Sequence, residues 1–400
     1  MKVPFFDISK QYEALMNDVE GELSDIFKEC LFIGGPHVKK FEEDMQEYLG
    51  VKHAIGCGNG TDALVLALRA CGVCPGDEVI TTSFSYFATA EAIASVGAIP
   101  VFVDILISDY MIDPSKIEDA ITERTKVILP VQIFGGCCDM DKIMKIARKY
   151  KLRVIEDDAQ AIGATYKEKK AGTLADIGCF SFYPTKNLGG CGDGGMCTTD
   201  NDNLALIIKA LREHGGGKIG GKAYELLTGK PAGKTTEEKA TALYDPQKYF
   251  NYLIGYNSRL DAIQAAVLSI KLKHLPEYNS RRAEIAREYT ARLTTNVWIP
   301  AYSPDVVPCW HQFAIMTDRN KELGEYLANH GIGSGTFYPV PLHKQMAFDS
   351  NNSRVASGEM RIVDIVTSKI ICLPIYPEMT DKQVDYVIET VNGFYQEEKK

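Results

Sequence analysis

Short apolar runs alternate with segments of helical spacing along the first half of the chain. Continuous apolar runs are typical of buried strands, and apolar residues that recur every three or four positions are typical of helices. The predicted strands are Val51–Cys57, Val79–Thr82, Pro100–Asp104, Lys126–Val131, Leu152–Glu156 and Cys179–Tyr183. The predicted helices between them are Ala63–Leu68, Ala88–Val96, Ser115–Ile121 and Met140–Tyr150. Because strands and helices alternate, the pattern predicts an α/β fold with helices on both faces of a sheet.

The two ends of the chain show other patterns. Residues 1–50 have helical character, with Val38–Tyr48 at helical spacing, and helices are predicted again over Leu260–Leu272 and 281–293. The remainder mixes two strands with two helices, at His311–Met316, Ile370–Leu373, Leu323–His330 and Asp381–Tyr395. We therefore expect a large domain over residues 1–250 and a smaller α+β domain over residues 251–400. Residues 213–249, rich in Gly, Lys and Thr, are predicted to form a long exposed insertion in the large domain.

Composition excludes several classes of protein. The net charge of −9 and pI near 5.4 argue against nucleic acid or an anionic membrane as the main partner. The chain has no run of 18 apolar residues, and its start lacks the apolar core of a signal peptide. The eleven cysteines are scattered and odd in number, which favours reduced thiols and a cytoplasmic protein. Cys71 and Cys74 have metal-ligand spacing but no second pair, so no metal site is predicted.

Candidate chemistry lies at the ends of two predicted strands. Lys186 follows the strand Cys179–Tyr183 and Pro184, and Asp157 and Asp158 follow the strand Leu152–Glu156. A lysine in apolar surroundings tends to lose its proton, and a neutral amine can form a Schiff base with an aldehyde. Ligands of α/β sheets collect at the carboxyl ends of strands. A lysine and a carboxylate there are the pair that pyridoxal phosphate (PLP) requires, one for the aldehyde and one for the ring nitrogen.

A second feature is the turn Gly58–Asp62, between a predicted strand and the helix Ala63–Leu68. A strand, a turn of small residues and a helix leave free N–H groups at the positive end of the helix dipole, which suits a phosphate. An ordinary capped helix is the alternative explanation. Thr61, Ser85 and Tyr86 also follow predicted strands, so they are expected at the same edge of the sheet.

These segments together resemble the DegT/DnrJ/EryC1/StrS family of sugar aminotransferases. The segments that carry the resemblance are Asn59–Leu64, Glu156–Gln160, Ser181–Leu188, Gly192–Gly195 and Gly255–Asp261. The resemblance implies a PLP enzyme of fold type I, with a large, mixed, mostly parallel sheet and a smaller C-terminal α+β domain. It also implies a homodimer with shared active sites.

The resemblance assigns roles to individual residues. Lys186 is the implied Schiff-base lysine and catalytic base, and Asp157 is the implied partner of the ring nitrogen. Asp158 stands beside it, so the choice between the two aspartates rests on register. The remaining implied cofactor contacts are Gln160 near the phenolic oxygen, Tyr86 on the ring face, Gly60, Thr61 and Ser181 at the phosphate, and Asn257 from the neighbouring subunit. The implied substrate residues are Arg259, Tyr338 and His343.

The implied reaction moves an amino group from glutamate to a nucleotide-linked keto-sugar, for an amino sugar of a cell-surface polysaccharide or a secondary metabolite. Tyr338–His343 and Asn59–Asp62 are more similar to relatives that aminate carbon 3 than to those that aminate carbon 4, and carbon 4 is the alternative. A sugar dehydratase is less favoured, because such relatives carry histidine where this chain has Lys186. A PLP-binding sensor without turnover is the alternative from another class.

Overall fold

A large sheet forms the centre of the fold. The structure is a computed structural model that describes residues 1–233, 249–356 and 359–396. The strands of this sheet are β1 (His53–Cys57), β2 (Glu78–Thr82), β3 (Ile99–Val103), β4 (Thr125–Leu129), β5 (Arg153–Asp157), β8 (Ile177–Ser181), β9 (Gly195–Thr199) and β12 (Arg354–Val355). Their spatial order is β1-β9-β8-β5-β4-β2-β3-β12. Neighbours from β8 to β12 are parallel, whereas β9 is antiparallel to both of its neighbours. The predicted α/β fold with a mixed, mostly parallel sheet is confirmed.

The inner strands are buried along most of their length because helices cover both faces of the sheet. The helices that follow the first strands are α3 (Gly60–Ala70), α4 (Ala88–Ser95), α5 (Ile117–Ala120) and α6 (Met140–Tyr150). Every residue of β2 is buried, and α3 contributes seven buried residues to the same core. This packing fixes the carboxyl ends of the strands at one edge of the sheet.

Three helices from distant parts of the sequence pack together beside this sheet. They are α1 (Ser9–Glu29), α2 (Gly35–Leu49) and α9 (Ala262–Leu272). Phe41 and Met45 of α2 share a core with Leu268 of α9, and Leu15 of α1 shares another with Val267. The segment just before α9 is therefore held against the large sheet.

The exposed insertion over residues 213–249 stays a prediction, but part of this segment is helical. After α7 (Asp202–Leu211), the structure has a further helix, α8 (Gly217–Thr228), in which Ala223 is fully buried. Glycines made this segment look unstructured, but Gly220 is required by packing, since an added Cβ would lie 2.2 Å from the Gly215 carbonyl oxygen. Residues 234–248 of the predicted insertion lie outside the described residues.

The C-terminal part forms an α+β unit with its own core. Its elements are α10 (Leu275–Arg292), β10 (Val306–Val307), β11 (Phe313–Met316), α11 (Asn320–Asn329), α12 (Arg361–Lys369), β13 (Ile370–Leu373) and α13 (Asp381–Gln396). β11 and β13 pair antiparallel, and β10 joins a small sheet with β6 (Thr165–Tyr166) and β7 (Lys169–Lys170). Val3, near the start of the chain, packs into this core. The domain boundary near residue 250 stays a prediction. Within the described ranges, no helix is long and apolar enough to cross a membrane.

Candidate active site

A cavity of about 990 Å³ lies at the carboxyl ends of two adjacent parallel strands, β5 and β8. Asp157 is the last residue of β5, Ser181 is the last residue of β8, and both line the cavity. This is the edge at which ligands of α/β sheets bind. The predicted site residues that line it are Gly60, Thr61, Tyr86, Asp157, Gln160, Ser181, Lys186 and Tyr338.

Asp157 is fixed in the cavity wall by two hydrogen bonds. The Thr89 hydroxyl donates to Oδ2 over 2.8 Å, and the Ala159 N–H donates to Oδ1 over 3.2 Å. Thr89 also lies 2.8 Å from the Ser85 hydroxyl, so a chain of hydroxyl groups supports the carboxyl group. Burial raises the pKa of Asp157, whereas the two hydrogen bonds and the charge of Lys186 lower it. The carboxyl group is therefore held in one orientation beside a cation.

Asp158 lies on the opposite side of the backbone. Side chains alternate along a strand, so Asp158 shares a face with Glu156, and it does not line the cavity. Glu156 accepts hydrogen bonds from Gln132 Nε2 over 3.0 Å and from the Leu174 N–H over 2.8 Å. Burial raises the pKa of Asp158 well above its usual range, and the charges of Glu156 and Asp157 raise it further. Of the two aspartates, Asp157 lines the cavity, whereas burial favours the protonated form of Asp158.

Lys186 lies in a turn that follows β8. Its own N–H donates to the Tyr183 carbonyl oxygen over 2.8 Å, which closes the turn. The side chain lines the cavity. Burial lowers the pKa of the Lys186 ammonium to about 8, and the charge of Asp157 opposes this shift. An amine with this pKa is neutral in a substantial fraction of molecules near pH 7–8, and the neutral form is the nucleophile and base.

The first turn of α3 has the features of an anion-binding site. Asn59 caps the helix, since its Oδ1 accepts from the Asp62 N–H over 2.8 Å. Gly60 allows a close approach to β8, because an added Cβ would lie 2.6 Å from the Ser181 Cβ. Backbone N–H groups at a helix amino terminus bind phosphate well. The structure brings the predicted phosphate residues Gly60, Thr61 and Ser181 together at this turn.

Gln160 connects three parts of the site. Its Nε2 donates to the Tyr338 hydroxyl over 2.9 Å, and its Oε1 accepts from the Phe134 N–H over 2.7 Å. The ring centroids of Tyr338 and Tyr86 are 5.9 Å apart, with 47° between the ring planes. Tyr86 is 60% exposed, so one of its faces is available from the cavity. The stacking of Tyr86 on a cofactor ring stays a prediction.

Three predicted residues do not line this cavity within one chain. Asn257 forms an isolated bridge with Glu213, and Arg259 lies in a separate surface groove with residues of the first turn of α8. His343 Nδ1 is 2.6 Å from the Ser83 hydroxyl oxygen, and burial lowers the pKa of this imidazole. The roles predicted for Asn257, Arg259 and His343 stay predictions.

Sequence reasoning missed other residues of the cavity wall. Phe5 and Phe6 come from the start of the chain, which the Val3 N–H fastens to the Gly331 carbonyl oxygen over 2.9 Å. The rings of Phe5 and Phe337 are 5.6 Å apart. Thr89 and His311 also line the cavity. The one signal in the sequence was the short apolar run Val3–Phe6 near the start of the chain.

The cavity residues fit PLP as a cofactor. The first turn of α3 can bind its phosphate, a carboxyl group can pair with its ring nitrogen, and an amine of lowered pKa can react with its aldehyde. The residues that provide these groups, Gly60, Asp157 and Lys186, line one cavity.

Comparisons with known proteins agree with this arrangement. A family model described as the DegT/DnrJ/EryC1/StrS aminotransferase family matches residues 14–392. The chain is 41% identical over 399 residues to a protein of Geobacillus stearothermophilus named "Pleiotropic regulatory protein", with 99% of each chain covered. It is 36% identical to the UDP-N-acetyl-3-dehydro-alpha-D-glucosamine 3-aminotransferase of Acidithiobacillus ferrooxidans, with 96% of this chain and 95% of the relative covered. The crystal structure of NtdA from Bacillus subtilis with bound cofactor PMP matches with a TM-score of 0.84 and 32% identity, covering 99% of this chain and 85% of that one.

Proposed function

The chain belongs to the DegT/DnrJ/EryC1/StrS aminotransferase family, and from this premise we propose that it moves an amino group from glutamate to carbon 3 of a nucleotide-linked keto-sugar. It is an enzyme, an aminotransferase that uses PLP. The observation that carries the proposal is the pairing of Lys186 with Asp157. These residues belong to adjacent strand ends, line the same cavity and interact electrostatically.

The proposed division of labour follows from the positions of the side chains. When bound, PLP supplies a protonated ring that accepts electrons from the bond broken next to the substrate nitrogen. Lys186 Nζ would hold the cofactor and, once displaced by the substrate, would serve as the base that carries the proton between the substrate carbon and the aldehyde carbon of the cofactor. Asp157, oriented by Thr89, faces the ring nitrogen and keeps it protonated. The phosphate is held by Gly60, Thr61 and Ser181.

Gln160 has the role of orienting Tyr338. Its amide nitrogen bonds the Tyr338 hydroxyl and its amide oxygen bonds the Phe134 N–H, so the side chain cannot rotate without losing both bonds. We place Gln160 next to the phenolic oxygen of the cofactor. Tyr338 and His343 belong to the proline-bracketed loop proposed to contact the sugar, and Tyr86 covers the ring face.

We propose a homodimer with shared active sites. Asn257 and Arg259 lie outside the cavity of their own chain, in a segment beside exposed apolar residues. Ile33 is 55% exposed and bridges Asp261, and Ile254 is 86% exposed. Exposed apolar patches of this kind mark interfaces. A second copy on this surface would bring Asn257 to the partner's phosphate and Arg259 to the partner's substrate.

Mixing two inactive variants will test the sharing. Lys186→Ala and the double variant Asn257→Ala/Arg259→Ala are each expected to be inactive, because each removes a part of every site. A hybrid dimer keeps one site in which all three residues are intact. Random pairing of equal amounts gives hybrids in half of the dimers, so about a quarter of wild-type activity is expected.

The measurement is 2-oxoglutarate release after the two variants are unfolded and refolded together, with hybrids counted by native mass spectrometry. Each variant refolded alone is the control. Inactive hybrids in the expected number would show that each active site is built from one chain.

The position of amination is proposed from two observations. The Acidithiobacillus ferrooxidans relative is named for 3-amination, and this chain matches it over 96% of its length. The Gln160–Tyr338 hydrogen bond fixes the loop from Tyr338 to His343, and a fixed loop presents one sugar carbon to the cofactor. We propose a 3-keto hexose, and Arg259 suits a carboxylate on that sugar.

A comparison of turnover with 3-keto and 4-keto substrates will test the carbon-3 assignment. We expect release of 2-oxoglutarate when glutamate is supplied with a 3-keto nucleotide sugar, and little release with the 4-keto isomer on the same nucleotide. The dTDP-linked and UDP-linked forms serve as matched pairs, because the nucleotide is constant within each pair. Turnover of the 4-keto isomers alone would place the amination at carbon 4.

The proposed product is an amino sugar for a cell-surface polysaccharide or a secondary metabolite. A cytoplasmic location is part of the proposal. All eleven cysteines are unpaired, which agrees with a reducing compartment.

A further inference from the structure

His311 lies between the turn that contains Lys186 and the C-terminal α+β unit. It precedes β11 and lines the same cavity as Lys186, although only 6% of the residue is exposed. The backbone beside it is pinned, because the Cys309 N–H donates to the Gly135 carbonyl oxygen over 2.8 Å. A Cβ added at Gly135 would lie 2.8 Å from the backbone nitrogen of His311, so the two backbone segments are in close contact. The main chain of His311 is therefore held in place against Gly135.

The imidazole bonds the residue next to the proposed catalytic lysine. His311 Nδ1 is 3.1 Å from Asn187 Oδ1. Asn187 Nδ2 donates to the Cys309 carbonyl oxygen and to Asn279 Oδ1, each over 2.8 Å. A carbonyl oxygen can only accept, so the bond to Cys309 fixes which end of the Asn187 amide is the donor.

This network determines the tautomer of His311. Both hydrogens of Asn187 Nδ2 are used, and Asn187 Oδ1 can only accept. The hydrogen of the 3.1 Å bond must therefore come from His311 Nδ1. Asn279 completes the network, since its Nδ2 donates to the Ile162 carbonyl oxygen over 3.1 Å and leaves its oxygen for Asn187.

The surroundings of the His311 imidazole favour its neutral form, which carries one ring N–H. Burial lowers the pKa of His311 well below its usual value, and the charges of Lys186 and Arg282 lower it further. Arg282 is close because its Nη1 donates to the Trp310 carbonyl oxygen over 3.3 Å and to the Ile375 carbonyl oxygen over 2.7 Å. With Nδ1 protonated and the ring neutral, Nε2 keeps its lone pair.

We propose that His311 is a positioning residue of the transamination: its Nδ1–H holds Asn187, and through Asn187 it keeps the Lys186 side chain inside the cavity beside Asp157. This bond ties the turn after β8 to the segment before β11, and the bond from Asn187 to Asn279 ties the same turn to α10. Asn187 is buried, so without its partner the turn would carry an unsatisfied buried oxygen and would shift to find another. The inference rests on the role proposed for Lys186.

Two isosteric variants will separate this role from simple packing. In His311→Asn the amide nitrogen takes the place of Nδ1 and can still donate to Asn187, whereas in His311→Gln it takes the place of Nε2. The readout is the pKa of Lys186 in the full chain without cofactor, from the pH dependence of acetylation by acetic anhydride, followed by mass spectrometry. This readout requires no catalysis, so it is independent of the identity of the substrate.

We expect a Lys186 pKa of about 8 in the wild type, and the same value in His311→Asn. In His311→Gln the loosened turn exposes the amine to water, and the pKa should rise by about one unit or more, because burial is the main cause of its lowering. With cofactor restored, kcat should fall about tenfold in His311→Gln with KM unchanged, and His311→Asn should retain wild-type kcat. Equal values for the two variants in both measurements would overturn the proposal.

A measurement on the wild type tests the first step without any variant. Nitrogen-15 chemical shifts of the His311 ring distinguish the two neutral tautomers from the cation. We expect the neutral Nδ1–H tautomer throughout pH 6–9, in the range where free histidine titrates. An Nε2–H tautomer would contradict the network and with it the proposal.

Discussion

Replacing Lys186 with alanine will abolish transamination and remove the visible absorption of the lysine-bound cofactor. The reason is that one amine has two tasks, holding the cofactor and moving the substrate proton. Burial lowers its pKa to about 8, so the neutral form is available near neutral pH. Loss of a positioned acid–base group alone costs about 10²–10⁴ in rate. We expect kcat to fall by about 10⁴-fold or more, measured as 2-oxoglutarate release from glutamate.

The chain offers a matched control in Lys271. This lysine is also buried, its pKa is also lowered to about 8 by burial, and its ammonium lies 4.9 Å from the Tyr12 ring centroid. It does not line the cavity. Lys271→Met should therefore keep both the cofactor absorption and the activity. Full activity of Lys186→Ala with unchanged absorption would show that another amine holds the cofactor.

The strands of the parallel sheet were predictable because burial on both faces leaves a simple signal. The predicted strand Val79–Thr82 differs from β2 by one residue, and the predicted helix Met140–Tyr150 coincides with α6. The strand predicted at Cys179–Tyr183 is β8, Ile177–Ser181, which ends two residues earlier. Phe182 and Tyr183 continue the apolar run beyond Ser181, where the backbone pairing of β8 with β9 ends.

β9 was not predicted, because its apolar residues, Met196 and Cys197, stand between a glycine and two threonines. All five residues of Gly195–Thr199 are buried. The hydroxyl of Thr198 donates to the Gly172 carbonyl oxygen over 2.7 Å, and the hydroxyl of Thr199 donates to the Asp176 carbonyl oxygen over 2.7 Å. Hydrogen bonds to carbonyl oxygens of distant residues let these hydroxyl groups enter a core, and a pattern of apolar residues cannot reveal them.

The site was predictable as far as strand ends locate side chains. Asp157 and Lys186 follow two apolar runs, so their proximity followed from the sheet. Thr89 was not predictable, because it reaches Asp157 from a helix 68 residues earlier. The position of Asn257 and Arg259 depends on α9 packing against α1 and α2, a contact between distant segments that no local pattern encodes.

Replacing Asp157 with asparagine will produce the second large loss of activity. The cofactor ring accepts electrons well only while its nitrogen is protonated, and a carboxylate stabilises that proton far better than an amide does. Asparagine keeps the shape and can still accept the Thr89 hydrogen bond, so the fold and cofactor binding through Lys186 should be preserved. We expect kcat to fall by about 10²–10³-fold, the loss typical of one misplaced electrostatic partner, measured with glutamate in single turnover.

Asp158→Asn is the control, one residue away and opposite in expected outcome. Asp158 does not line the cavity, and burial and the neighbouring charges raise its pKa, so an amide there should leave activity at the wild-type level. The pKa of Asp158 is raised by burial above the value of about 3.9 in an unfolded chain. Wild-type stability is therefore fully present below about pH 4 and is lost as the pH rises toward the folded pKa, because only the unfolded chain releases the proton. An asparagine has no proton to release, so the melting temperature of Asp158→Asn should gain on that of the wild type between pH 4 and pH 7.

If Asp158→Asn lost activity while Asp157→Asn kept it, the aspartate at the ring nitrogen would be Asp158.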